Sequence, residues 1–199
     1  MRDESNEAKA QEHNSGAPIA TDDTRARRVT GCEWRERSVR RCRFSSHSEA
    51  VILYADTSWW IAYKCEDDAG HETAVRLFDL WPDAVVVWTP WQRLEVFNSF
   101  RQLERTGMIS SGKARQLIRL LEQEVKLGYW PHVEFDWLDA VRTACELSAE
   151  LGLSIAIRSM DLFHVAAAIE VGADAILTLD GDQQTFADAA GLRVVSLHA

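Results

Sequence analysis

Val51-Ile-Leu-Tyr-Ala-Asp-Thr-Ser58 is the stretch whose reading decides the fold. Val51–Ala55 is a continuous apolar run, as expected for a strand buried on both faces. Asp56 or Thr57 then caps a helix over Thr57–Tyr63. The chain therefore enters a compact domain at this point. His71–Trp81 is a second helix ended by Pro82, and Ala84–Trp88 is a second buried strand. Thr89 stands at N-cap and Pro90 at N1 of a helix that runs to about Thr106, where Gly107 stops it. Ser110 or Ser111 caps the next helix, whose stripe Leu117, Leu120, Leu121 and Val125 is amphipathic and which Gly128 closes. His132–Phe135 reads as a short third strand. Trp137–Leu151 reads as a helix with Leu138, Val141 and Cys145 on one side. An Ala-rich helix over Ser159–Val171, a strand over Ala175–Leu179, a short helix over Gln183–Ala190 and a last strand over Leu192–Leu197 complete the order. This alternation predicts an α/β sandwich around a mainly parallel sheet.

The flanking segment is different in kind. Residues 1–49 carry ten Lys/Arg against nine Asp/Glu and have no apolar period. Such a composition buries too little surface to offset chain entropy. It reads as a disordered extension, or as residues upstream of a native start at Val51, since valine codons serve as bacterial starts. The eight arginines between Arg25 and Arg43 leave a third reading open, an RNA-binding arm. Residues 51–199 are the folding domain.

The net charge of -9 argues against a simple basic nucleic-acid-binding domain. With +1 on residues 1–49, the remainder carries -10. No stretch approaches the roughly 20 apolar residues of a membrane span. There is no secretory h-region. Cys65 and Cys145 sit in apolar patterns and read as reduced core or near-core thiols, while Cys32 and Cys42 show no metal-site spacing. A cytoplasmic location is the expectation. Neither GxGxxG nor GxxxxGK[ST] is present, and His71-Glu72 lacks the second histidine of a zinc-protease motif.

The acids of the domain fall at particular places. Open parallel sheets bind ligands at the carboxyl ends of their strands. Asp56 follows the first strand, Asp180 the fourth, and Asp182 lies two residues on. Asp161 lies in the first turn of the Ala-rich helix, and Glu95 in the helix after the second strand, between Leu94 and Val96. Each acid alone also reads as a helix cap or a solvated turn residue. Together, on one edge and without a matching Lys, they would repel strongly unless a hard cation with oxygen ligands were bound. Two Mg²⁺ or Mn²⁺ ions fit the count, and that arrangement suits in-line phosphodiester hydrolysis.

These motifs resemble a known family. Leu53-Tyr-Ala-Asp56-Thr57-Ser58 is similar to the opening of PIN-domain nucleases. Arg158-Ser-Met-Asp161-Leu-Phe-His164-Val-Ala-Ala-Ala continues the resemblance. Gly172-Ala-Asp-Ala-Ile-Leu-Thr178-Leu-Asp180-Gly-Asp182-Gln follows, then Phe186-Ala and Gly191-Leu, in order. Glu95 fills the remaining acidic position. The likeness covers about Val51 to Leu197 and is greatest to the VapC-type toxins of bacterial toxin–antitoxin pairs. The long Arg-containing lead departs from those compact toxins.

The resemblance implies a PIN-like α/β/α sandwich and an endoribonuclease dependent on Mg²⁺ or Mn²⁺. Asp56, Glu95, Asp161 and Asp180 would form the acidic site, with Asp182 as a fifth member. Thr57 or Thr178 would orient a carboxylate or water. Arg158 would contact phosphate or pair with Asp161, and a plain helix-entry ion pair is equally open. His164 shares a helix face with Asp161 but reads as a packed histidine. The implied partners are RNA, a cognate antitoxin presenting an Arg-bearing segment to the acids, and a second copy of the chain. Of the adjacent pair Trp59-Trp60, one residue is expected inward and one outward, the outer serving a subunit contact or base stacking. Lys64, Arg93, Arg101, Arg105, Lys113 and Arg115 either guide the strand or are solvated helix faces. A housekeeping RNA-processing nuclease and a non-catalytic interaction module keep the same fold. A haloacid-dehalogenase-like phosphatase would need an acid where Ser58 stands.

Overall fold

The structure, a computed structural model, describes residues 50–197. The readings made for residues 1–49 lie outside the described residues. Within them the order is β1 (Ile52–Ala55), α1 (Thr57–Lys64), α2 (His71–Asp79), β2 (Val85–Val87), α3 (Pro90–Arg105), α4 (Lys113–Leu127), α5 (Trp137–Leu151), α6 (Ser159–Glu170), β3 (Ala175–Leu177), α7 (Gly181–Ala189) and β4 (Arg193–Val194). The strands form one parallel sheet in the order β2-β1-β3-β4. Leu53 pairs with Val86 on one side of β1 and with Ala175 on the other. The chain leaves β1 toward β2 and later returns to β1's opposite side, so a topological switch point lies between β1 and β3. Crevices for ligands open at such points, beyond the carboxyl ends of the strands.

Helices cover both faces. Leu53, Ala55, Val86, Trp88, Ala175 and Leu177 join a core with Trp59, Trp60, Phe97, Phe100 and Trp130. Tyr54, Val87 and Ile176 join the opposite core, with Ala144, Ala166, Ala167, Ala168 and Phe186. This is the expected α/β/α sandwich with a parallel sheet.

Four local expectations are corrected. The third strand, His132–Phe135, shrinks to one parallel bridge between Trp88 and His132. Pro131 supplies no N–H there, and Asp136 already caps α5, so little chain is left to pair. Neither Ser110 nor Ser111 caps α4. Gly112 holds that position at φ 82°, and the Glu104 carboxylate accepts from the N–H groups of Gly112 and Ala114. Helix α5 presents its other side to the core: Ala140, Thr143, Ala144 and Leu147 are buried, while Leu138 and Val141 are 76% and 50% exposed. Cys145 is exposed with them, and Cys65 is buried as expected. The neighbour of α5 is the Ala-rich α6, so small residues on both helices allow close approach, and Thr143 Oγ1 donates to Glu170 Oε1 at 2.6 Å across the pair. Finally, Trp59 and Trp60 are both fully buried. Helix α1 packs against α2 and α3 at once, so two residues about 100° apart on its surface both find cover.

Candidate active site

Asp56 is the N-cap of α1 and, among the described residues, the one buried acid, 4% exposed. Its N–H donates to Leu177 O at 3.0 Å, which ties the end of β1 to β3. Its carboxylate accepts from Trp59 N at 2.9 Å, from Ser58 Oγ at 2.8 and 2.9 Å, and from Thr178 Oγ1 at 2.9 Å. Burial pushes this carboxyl upward, while the nearby imidazole of His164 and these donors pull it back only in part.

Glu95 reaches the same edge from the second turn of α3. Helix α3 is placed by a capping box: Thr89 Oγ1 accepts from Gln92 N, and Gln92 Oε1 accepts from Thr89 N at 2.6 Å. The other end of that buried amide donates, Gln92 Nε2 to Ala55 O, at 2.6 Å. One side chain thus joins the end of β1 to the start of α3. The Glu95 carboxylate accepts from Thr57 Oγ1 at 2.6 Å and from the Nε2 of His164. Burial pushes Glu95 up, but the His164 hydrogen bond, the His164 charge and the Thr57 hydroxyl outweigh it and hold the acid below its ordinary value.

His164 is packed, as expected, at 1% exposure. It also has a polar assignment that the sequence did not show. Its Nδ1 lies 2.9 Å from the hydroxyl of Tyr54, whose titration burial pushes well above the usual value. A carboxylate only accepts, so Nε2 carries a proton toward Glu95, while Nδ1 meets the phenol oxygen on the other side of the ring. The line Tyr54–His164–Glu95 links β1, α6 and α3. Only the i, i+3 relation of His164 to Asp161 was visible along the chain; contacts 69 and 110 residues apart leave no periodic trace.

Asp161 and Asp180 complete the edge. Asp180 caps α7, accepting from Asp182 N and Gln183 N at 2.9 and 3.0 Å. Asp161 is half-buried, and among the described residues its carboxylate has no hydrogen-bond donor. Burial raises it first, the negative charge of Asp180 second, with a smaller push from Glu95; His164 and Arg158 act in the opposite direction. Arg158 is exposed and forms no ion pair with Asp161. Asp182 is exposed, and only its backbone meets Asp180. Thr57 and Thr178 each orient a carboxylate, Glu95 and Asp56 respectively.

The edge therefore gathers oxygen donors of one sign, the donor set of a hard divalent cation. Among the described residues no three acidic, imidazole or thiolate groups stand close enough together to hold a metal ion. Asp161 is the informative member: an acid repelled by its neighbours and given no donor by the protein fits a site that a cation completes.

The sequence model of the PIN domain family matches residues 53–192. No match is found among curated proteins. The fold is similar to solved structures. Mycobacterium tuberculosis VapC20, described as a sarcin–ricin loop cleaving toxin, is 22% identical at a TM-score of 0.51, covering 70% of this chain and 95% of that one. VapBC-1 of nontypeable Haemophilus influenzae is 16% identical at a TM-score of 0.52, covering 72% and 96%. FitAB bound to an IR36 DNA fragment is 16% identical at a TM-score of 0.52, covering 74% and 99%.

Proposed function

The chain belongs to the PIN domain family, and from that premise we propose that it is a divalent-metal-dependent endoribonuclease, the toxin of a toxin–antitoxin pair. The observation that carries this reading is Asp161: half-buried, repelled by Asp180 and Glu95, without a protein donor, at the switch-point edge of a parallel sheet. Asp56, Glu95, Asp161 and Asp180 would hold Mg²⁺ or Mn²⁺, with Asp182 at the rim. When bound, such ions neutralise charge developing on a phosphodiester and make water nucleophilic near neutral pH. The protein's own part is positioning. Ser58 and Thr178 aim Asp56, Thr57 and His164 aim Glu95, and Tyr54 holds the His164 ring at its Nδ1. The exposed guanidinium of Arg158, near Asp161, is placed to meet a phosphate oxygen of the strand.

The same acids would accept a guanidinium from a cognate antitoxin, closing the site by charge pairing. The fold likeness to VapBC and FitAB supports this partner. Self-association belongs to the reading too. Buried Trp59 and Trp60 cannot serve it; exposed apolar side chains such as Leu138 and Val141 of α5 could. Among the described residues no helix is long and apolar enough to cross a membrane.

The test is cleavage of single-stranded and structured RNA by the full chain with Mn²⁺ or Mg²⁺. Asp56→Ala and Asp161→Ala should each lower cutting by roughly 100-fold or more, and EDTA should stop it. Cutting at near the wild-type rate after either substitution, or after chelation, defeats the mechanism. Growth arrest on expression, relieved by the same substitutions, supports the toxin role; normal growth with active enzyme supports a housekeeping nuclease.

A further inference from the structure

Two cations along the α3–α4 hairpin already have carboxylate partners, and four arginines at its tip do not. Arg93 pairs with Glu122, and Lys64 of α1 reaches Glu124 at 2.5 Å. These cations are already neutralised. Arg101, Arg105, Arg115 and Arg119 are exposed, and none forms an ion pair among the described residues. All four line one open cleft of about 850 Å³ at the hairpin tip.

The spacing explains the convergence. Arg101 and Arg105 are four apart on α3, and Arg115 and Arg119 are four apart on α4. Each pair therefore occupies one helix face, and the two faces look across the same cleft. The single acid lining it, Glu104, is committed. Both its oxygens accept backbone N–H groups, from Gly112 at 3.0 Å and Ala114 at 2.9 Å, and these two bonds hold it below its ordinary value. It is close enough to feel Arg115 but leaves the remaining charge uncompensated. Arg105 Nε donates to the neutral Gln102 Oε1 at 2.7 Å, which orients the guanidinium without neutralising it.

Like charges at i, i+4 destabilise a helix. An acidic chain that sets two such pairs face to face presents a receptor for negative charge. We propose that this cleft is a docking site for the RNA backbone, separate from the acidic edge where the strand would be cut. Guanidinium forks suit phosphate oxygens, and Ser110 and Ser111 add hydroxyl donors in the same cleft. Two rows of evenly repeated arginines match a repeating phosphodiester better than the irregular charges of an acidic peptide. Helix α3 is the spacer: at its rise per residue, Arg101 and Arg105 lie about 9 and 15 Å along the axis from Glu95. One strand can lie on both, its docked phosphates a few nucleotides from the cleavage point. The inference rests on the reading of the chain as an RNA-cutting enzyme.

The test measures binding without cleavage. The full chain in EDTA is titrated against labelled oligouridylate by fluorescence anisotropy over a range of KCl. The variant Arg101→Ala/Arg105→Ala/Arg115→Ala/Arg119→Ala should bind roughly 10- to 100-fold more weakly at low salt, and its log–log salt slope should be shallower by about 3, for four lost phosphate contacts on a single strand. Four Arg→Lys changes should keep most of the slope. In Mn²⁺ the Ala variant should cut a long RNA with raised KM and near-normal kcat. Circular dichroism checks its folding, and Arg101→Glu/Arg119→Glu gives the same readout should the quadruple variant unfold. Unchanged affinity and slope overturn the proposal. So does tighter arginine-dependent binding of polyglutamate than of RNA, which assigns the cleft to an acidic peptide. If wild type cuts RNA and the cleft variants behave like it, only the cleft is refuted. If wild type binds RNA through these arginines but never cuts it, the nuclease reading is refuted and the docking site stands.

Discussion

The two faces of the sheet are filled by opposite means. On one, Trp60 is the hub: its ring centroid lies 5.0 Å from Trp88, 5.1 Å from Trp130 and 5.1 Å from Trp59, all edge-on. On the other, three consecutive alanines of α6, Ala166, Ala167 and Ala168, are wholly buried beside Tyr54 and Ile176. Large rings bury much area and fill volume between helix and sheet. Alanines do little of either, but they let a helix lie close to the strands. The tryptophan-lined face therefore buries the larger rings, while on the other, where Tyr54 and Phe186 are also buried, the alanines set how close α6 sits. Asp161 and His164 ride on the closely seated helix, Glu95 comes from the aromatic side, and the site is the seam between them.

That division can be broken by experiment. The largest effect belongs to the aromatic hub: Trp60→Ala should cost about 3–5 kcal/mol by urea denaturation, with Mn²⁺ affinity of the remaining folded protein unchanged. Next is Asp161→Ala, which should lower metal-dependent cleavage by roughly 10²- to 10³-fold, about 2.7–4 kcal/mol, while stability in EDTA holds or rises because a repelled acid is gone. Ala167→Leu overfills the alanine face and should cost about 1–3 kcal/mol. Its cleavage should fall further than that loss explains, because α6 is pushed off the sheet; normal cleavage would mean that close seating is not what places the acids.

A smaller effect is electrostatic. Burial raises Asp56 in the folded chain. Between its unfolded and folded values the native state keeps a proton that the unfolded chain has released. Stability of the metal-free protein should therefore fall as pH climbs through that window. Glu95 has the opposite sign, its contribution being lost as pH falls through its lowered folded value. Asp56→Asn should flatten the first trend and leave the second, read as thermal midpoint against pH in EDTA. Smallest of all, Arg93→Ala, which breaks an exposed pair with Glu122, should move stability by less than about 0.5 kcal/mol.

The legible part of the molecule was the part written in short-range chemistry. Thr89 and Pro90 announce α3, and the apolar run before Asp56 announces a doubly covered strand. Once the strands are parallel, Asp56 and Asp180 must share an edge. What stayed hidden depends on partners far along the chain. Adjacent tryptophans on a helix suggest one inward and one outward residue, but α1 is flanked by α2 and α3, and both rings are covered. The larger apolar residues Leu138 and Val141 suggested the core side of α5. Its neighbour α6 is lined with alanines and lies close, so Ala140 and Ala144 face inward instead, with Leu147 buried beside them. His164 could be read as packed, but its bond to Glu95 could not.

The Gln92 amide has a mechanical consequence. It grips the last carbonyl of β1 with one end and the first turn of α3 with the other. Asp56 and Glu95 stand immediately beyond those two grips. They are mounted on one bracket, so the root of α3 and the end of β1 are held to each other at the base of the two acids. The spacing of the two carboxylates is kept by an amide with which neither shares a hydrogen bond.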